Sequence, residues 1–123
     1  MSQESDIEDV RRVIKLYTNG TYEGSVDKLK QAFHPEAMMC GYFQGQRLMG
    51  GVDPFYASVE ASPAPKEQGQ SYEPNVTAVR VAGNAATATL EERPYMGLNF
   101  TNFFHLLKTD GQWQIVSKTF AHE

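Results

Sequence analysis

Tyr17 is the side chain whose type and setting best suit chemistry. It is a phenol on an otherwise apolar helical stripe, able to donate its hydroxyl to a carbonyl oxygen held against the core. A buried tyrosine bonded only to a structural partner fits the same position. His34 and His105 could move protons near neutral pH. His34, before Pro35 at a helix end, equally supports the negative end of the helix dipole. His105 falls on a strand position that serves an interface or a backbone hydrogen bond as well as it serves catalysis. His34, His105 and His122 share no short metal-ligand spacing, and Cys40 adds a single soft ligand, so no metal site is expected. Glu91-Glu92-Arg93 offers adjacent carboxylates, but neighbours along a strand point to opposite faces and cannot share a substrate, so this run reads as charge at a strand end. Met38, Met39, Met49, Phe55, Tyr56, Met96 and Phe104 could line a pocket for a flat apolar molecule, or simply fill a core.

These side chains need elements to hold them. Ser5-Asp6-Ile7-Glu8 has the form of a capping box, and Ile7, Val10, Val13, Ile14 and Tyr17 then recur at helical steps, predicting a helix that ends near Tyr22 with Gly24 beyond it. Ser25 caps a second, short helix carrying Val26, Leu29, Ala32 and Phe33, stopped by His34-Pro35. Residues 38–43 and 47–49 flank a turn at Gln44-Gly45-Gln46 and suggest a small hairpin. Asp53-Pro54 opens a third short helix bearing Phe55, Tyr56 and Val59. Residues 62–71 read as an exposed loop. Period-two segments follow at 76–81, 85–92, 100–108 and 113–120, joined at two points by Gly83-Asn84 and Asp110-Gly111 turns. Helices gathered before an antiparallel meander indicate an α+β domain spanning 1–123.

A two-residue turn at Asp110-Gly111 sets Lys108 near Trp113, Leu106 near Ile115, Phe104 near Ser117 and Asn102 near Thr119 on one face. That face is the greasier one and takes the pocket. The other then carries Phe103, His105, Val116, Lys118 and Phe120, too apolar to leave bare, which suggests a homodimer through it, or else the C-terminal residues or the loop around Lys66 folded back over it. A one-residue slip would exchange the two sets.

Composition narrows the partners. A net charge of −4 and a pI near 5.3 oppose nucleic acid and anionic membrane. The acidic start MSQESDIEDV lacks the cationic and apolar run of a signal peptide, which suggests a cytoplasmic protein.

The chain resembles the NTF2-like superfamily, and within it the members called SnoaL-like or putative lumazine-binding proteins. The residues that carry the likeness are Tyr17, Tyr22-Glu23-Gly24, the run from Leu29 to Ala37, Phe100-Thr101-Asn102, and the run from Lys108 to Val116. The resemblance implies a cone, in which a strongly bent sheet and three helices enclose a cavity, with dimers as the common assembly. In the ketosteroid-isomerase branch a helix-one tyrosine and a strand carboxylic acid bind an oxyanion while another carboxylate moves the proton. Tyr17 looks like that tyrosine. The other two positions fall near Gly41 and between Asn102 and Phe104, where this sequence has no carboxylate, so that isomerase mechanism is not expected.

The expected function is therefore a small-molecule-binding domain for an apolar or aromatic ligand, without a cofactor, contacting Tyr17, Met39, Phe55, Tyr56, Asn102, Phe104 and Ser117. Two alternatives stand beside it: an isomerase, cyclase or dehydratase acting on a ketone or polyketide-like substrate, and a protein-interaction module.

Overall fold

The apolar stripe that starts at Ile7 continues without a break through Val10, Val13, Ile14 and Tyr17 to Thr21, and in a computed structural model describing residues 3–123 it is the buried side of one long helix, α1 (Gln3–Glu23). The helix is already under way at Gln3, so Ser5 and Glu8 lie inside it and do not cap it. Asn19-Gly20 does not stop it either. A Cβ on Gly20 would lie 2.9 Å from Leu29 Cγ, so this glycine is where α1 and α2 (Val26–Ala32) meet closely. Gly24, at φ +71°, supplies the left-handed residue that ends α1, and Ser25 Oγ accepts from the Lys28 backbone N–H at the start of α2.

The second helix ends one residue sooner than the sequence suggests. Phe33 belongs to β1 (Phe33–Phe43), paired in parallel with Ile115 of the last strand. The hairpin partner β2 (Gln46–Gly51) follows the expected turn, and α3 (Asp53–Ala61) begins with Pro54 in its first turn. The segment read as a loop contains one turn of helix, α4 (Pro65–Gln68). The meander consists of β3 (Pro74–Ala82), β4 (Ala85–Tyr95), β5 (Leu98–Thr109) and β6 (Gln112–His122). Together the strands form one curved, unclosed sheet of order β2-β1-β6-β5-β4-β3, antiparallel except where β1 meets β6. No helix of the described residues is long and apolar enough to cross a membrane.

Asp110 and Gly111 both have positive φ and form the two-residue turn foreseen, with Thr109 opposite Gln112 and Leu106 opposite Ile115. Beyond that point the register shifts. His105 pairs with Ser117, leaving Val116 as an extra residue, so Phe104 lies opposite Lys118 and Asn102 opposite Phe120. The expectation for 117–120 is thus overturned. Lys118 (5% exposed) and Phe120 (6% exposed) face the helices, while Ser117 and Thr119 pair with the outward His105 and Phe103. The outer face keeps Phe103 and Leu107 exposed, with Met38 beside Ser117.

Strand β1 runs tightly along β6 at Gly41. An added Cβ at Gly41 would stand 2.3 Å from the Phe120 carbonyl oxygen and 2.9 Å from its ring. We expect Gly41→Ala to lower stability by about 1–3 kcal/mol, because the obstacle is backbone that cannot rotate aside. Gly50→Ala, with open space around it, should cost well under that. Equal urea midpoints for the two variants would contradict the close approach.

Candidate functional site

The inner face of the sheet is built in rungs, each contributed by neighbouring strands at period two. Ala86, Leu106 and Ile115 form one, Ala88, Phe104 and Lys118 the next, then Leu90, Asn102 and Phe120, then Glu92, Phe100 and His122. The first rung is apolar, and each of the next three carries polar side chains, namely Lys118, then Asn102, then Glu92 with His122.

Tyr17 projects from α1 into the second rung. It is fully buried, packs edge-on against Phe104 (centroids 5.1 Å apart) and Phe33 (5.9 Å), and stacks on Phe55 of α3 (6.2 Å). Its hydroxyl accepts a 2.6 Å hydrogen bond from Lys118 Nζ. The ammonium position is otherwise enclosed by aromatic faces, 4.6 Å from the Phe55 centroid, 4.9 Å from Tyr17 and 5.4 Å from Phe120. Burial holds the Lys118 pKa down at about 8, only partly opposed by the negative charge of Glu92. About a tenth of the amine is therefore neutral at pH 7.

Glu92 is the one carboxyl group buried among the described residues, at 1% exposure. Tyr72 donates its hydroxyl to Oε2 and Asn102 donates Nδ2 to Oε1, each at 2.6 Å. Asn102 Nδ2 also lies 3.4 Å from the Leu90 carbonyl oxygen, whereas Asn102 Oδ1 is buried with no hydrogen-bond partner. Burial first, and then the charge of Glu92, raises the pKa of Tyr17 and Tyr72 above the ordinary phenol value and pushes Tyr95 up to about 12. All three phenols stay protonated at neutral pH; Tyr72 donates to Glu92, while Tyr17 accepts from Lys118. Thr21 of α1 lies near enough to Tyr17 and Tyr72 to be felt by both, yet its hydroxyl has no well-formed hydrogen bond.

The residues singled out from the sequence are brought together unevenly. Tyr17 touches both Phe55 and Phe104, and Met39 pairs with Lys118 across β1 and β6. Asn102 reaches the same interior, where it holds Glu92. Tyr56 lies off to the side, edge-on to Phe33 with Lys30 over its ring. Ser117 stands on the outer face, removed by the bulge. His105 is exposed on that face, and His122 Nε2 accepts from the Gln44 backbone N–H near the sheet end.

Lys118, Glu92, Tyr72 and Tyr95 were missed. Glu92 had a signal, since Ala86, Ala88, Leu90 and Glu92 alternate inward along β4 and the carboxyl simply ends that series. Glu92 enters the cone from β4 and accepts from Asn102. Lys118 had none, because a bulge leaves no mark in a period-two pattern.

Helix α3 lies over the Tyr17 and Lys118 pair. None of its residues is buried, yet Phe55 covers both Tyr17 and the Lys118 amine. A cavity of about 310 Å³ opens where α3 and α4 meet the β4–β5 turn, lined in part by Ser58, Val59, Ala64 and Met96, and it reaches the polar interior at Thr21 and Tyr95.

Comparison with known proteins gives three findings. The model of the family described as "Putative lumazine-binding" matches residues 5–121. The chain is 26% identical over 117 residues to the aldolase FrzH of Cladobotryum sp, covering 94% of this chain and 90% of that one. Among solved structures, an NTF2-like protein of unknown function from Silicibacter pomeroyi superposes with a TM-score of 0.90 at 25% identity, both chains fully covered. Another from Methylobacillus flagellatus gives 0.89 at 27%, covering 100% of this chain and 95% of that one.

Proposed function

The chain belongs to the putative lumazine-binding family and has its NTF2-like α+β fold, and from that premise we propose that it binds a small carbonyl compound inside the cone and acts on it as an enzyme of the enolising kind. The observation that carries this reading is the buried pair of Tyr17 hydroxyl and Lys118 amine, 2.6 Å apart, in a shell of aromatic rings. Two donors held without water stabilise the negative charge that develops on a carbonyl oxygen when an α-proton leaves, a term of several kcal/mol where such donors are preorganised. Glu92 is the acceptor for that proton. The likeness to a protein named an aldolase supports the same class, since aldol chemistry starts from an enol or enamine. The apolar wall from Phe55, Phe104 and Met39 suits a flat or aromatic substrate. A homodimer through the outer face at Phe103, His105 and Val116 belongs to this reading, with Lys118 and Phe120 withdrawn from it; sedimentation of the purified chain checks it.

A flat ketone such as 2-acetonaphthone should bind, and its α-protons should exchange with deuterated solvent faster in the presence of the protein, as followed by NMR. Tyr17→Phe should lower affinity by about tenfold and exchange by about a hundredfold. Binding without exchange would favour the second reading, a ligand-binding domain without turnover. No binding at all would reject both.

A further inference from the structure

We propose that Lys118 is a covalent nucleophile, whose Nζ condenses with the carbonyl carbon of an aldehyde or ketone held beneath α3 to form a Schiff base. This rests on the carbonyl-binding reading above and goes further, since that reading needs only a hydrogen-bond donor.

The case begins with what Lys118 lacks. Two other lysines that are partly buried end on carboxylates, Lys28 on Glu23 at 2.6 Å and Lys108 on Asp6 at 3.0 Å. Lys118 is more deeply buried than either, and none of the ion pairs among the described residues includes it. A lysine kept for structure would be paired or absent, because an unpaired ammonium in an apolar interior is costly. What such burial does supply is neutral amine at ordinary pH, the form that attacks a carbonyl.

The neighbours complete the step. The amine nitrogen adds to the carbonyl carbon and the carbonyl oxygen takes up a proton, giving a carbinolamine. That hydroxyl leaves as water, taking a proton from Tyr17, whose buried phenol is protonated and already bonded to Nζ. The nitrogen lone pair closes the C=N bond. Loss of an α-proton to Glu92 turns the iminium into an enamine, whose carbon can add to a second carbonyl and form a carbon–carbon bond while that carbonyl's oxygen takes the proton back from Glu92. Addition of water to the iminium so formed returns the amine and releases the product, and the proton set free restores the Tyr17 phenol. Phe55, on a helix with no buried residue, is the side chain that must swing away to admit the carbonyl.

The test uses the full chain with propanal and sodium cyanoborohydride at pH 7, followed by digestion and mass spectrometry. The expected result is N-propylation of Lys118 at least tenfold faster than of the surface residues Lys15 and Lys66. Phe55→Ala should accelerate it further, and Lys118→Arg should show labelling at the other lysines unchanged. Labelling of Lys118 no faster than Lys15 in both the wild type and Phe55→Ala would overturn the proposal. If 2-acetonaphthone still bound in a Tyr17-dependent way in that event, the non-covalent reading would survive alone; if it did not, both would fall.

Discussion

Lys118→Met should unfold at a higher temperature than the wild type at neutral pH, and the advantage should shrink and then reverse as the pH rises. The pKa of Lys118 lies at about 8 in the folded protein, against 10.5 for a free lysine. A depressed lysine pKa means that the folded state binds its proton less well than the unfolded chain does. The penalty is therefore fully present below about pH 8 and is relieved between about 8 and 10.5, where the unfolded chain still holds a proton that the folded one has released. That difference corresponds to about 3 kcal/mol across the window. Against this, methionine fills a similar volume but takes away the donor to Tyr17, a loss of about 1 kcal/mol. The variant should thus be about 2 kcal/mol more stable near pH 7 and about 1 kcal/mol less stable near pH 10.5. The phenols run the other way: raised pKa values give stability that is present below about pH 10 and lost above it. Reading the result as a difference between variant and wild type removes most of that contribution. Urea midpoints collected from pH 7 to 10.5 provide the check, and a gap that does not change with pH would show that Lys118 carries no proton-linked strain.

Glu92→Ala should cost about 2–5 kcal/mol, whereas Glu92→Gln should cost no more than about 1.5 kcal/mol. Alanine leaves the Tyr72 hydroxyl without its acceptor and removes the 2.6 Å acceptor of Asn102 Nδ2, in a setting where Asn102 Oδ1 is already unpartnered. Glutamine is nearly isosteric, and its oxygen can still accept from Asn102 while its amide faces the Tyr72 oxygen. Both variants remove the negative charge that props up the Lys118 pKa, so the amine should titrate below about 8 in either one, as NMR of the lysine side chain would record. Equal destabilisation by Ala and Gln would reject the hydrogen-bonding role. An unmoved Lys118 titration would reject the electrostatic link between the two groups.

Several of these residues were legible in one dimension. Tyr17 stood out because a polar hydroxyl at a core step of a helix is conspicuous, and Phe104 and Asn102 because β5 alternates cleanly. Ser117 and Lys118 were exchanged for a different reason. The Asp110-Gly111 turn was read correctly, and the register it sets holds through Leu106 and Ile115. One inserted residue, Val116, then reverses every side chain beyond it, and the segment Val116-Ser117-Lys118-Thr119-Phe120 reads equally well with either set facing in. Glu92 was judged by its pairing with Glu91, although the three inward residues before it already fixed its direction.

Local rules were enough for the larger elements, though not for the single turn of α4. Helical spacing from Ile7 to Tyr17, glycine at 24, the cap at Ser25 and two short turns determined the α+β class, the helix-then-meander order and most strand limits, because each depends on neighbours within a few residues. The site did not depend on neighbours of that kind. Lys118 meets Tyr17 across 101 positions of sequence and Tyr72 meets Glu92 across 20; the first contact depends on a bulge that no short window encodes, and the second on a pairing between distant segments. Burying an amine and a carboxyl in one interior is a property of how the rungs stack, so only the assembled cone could decide where the chemistry lies.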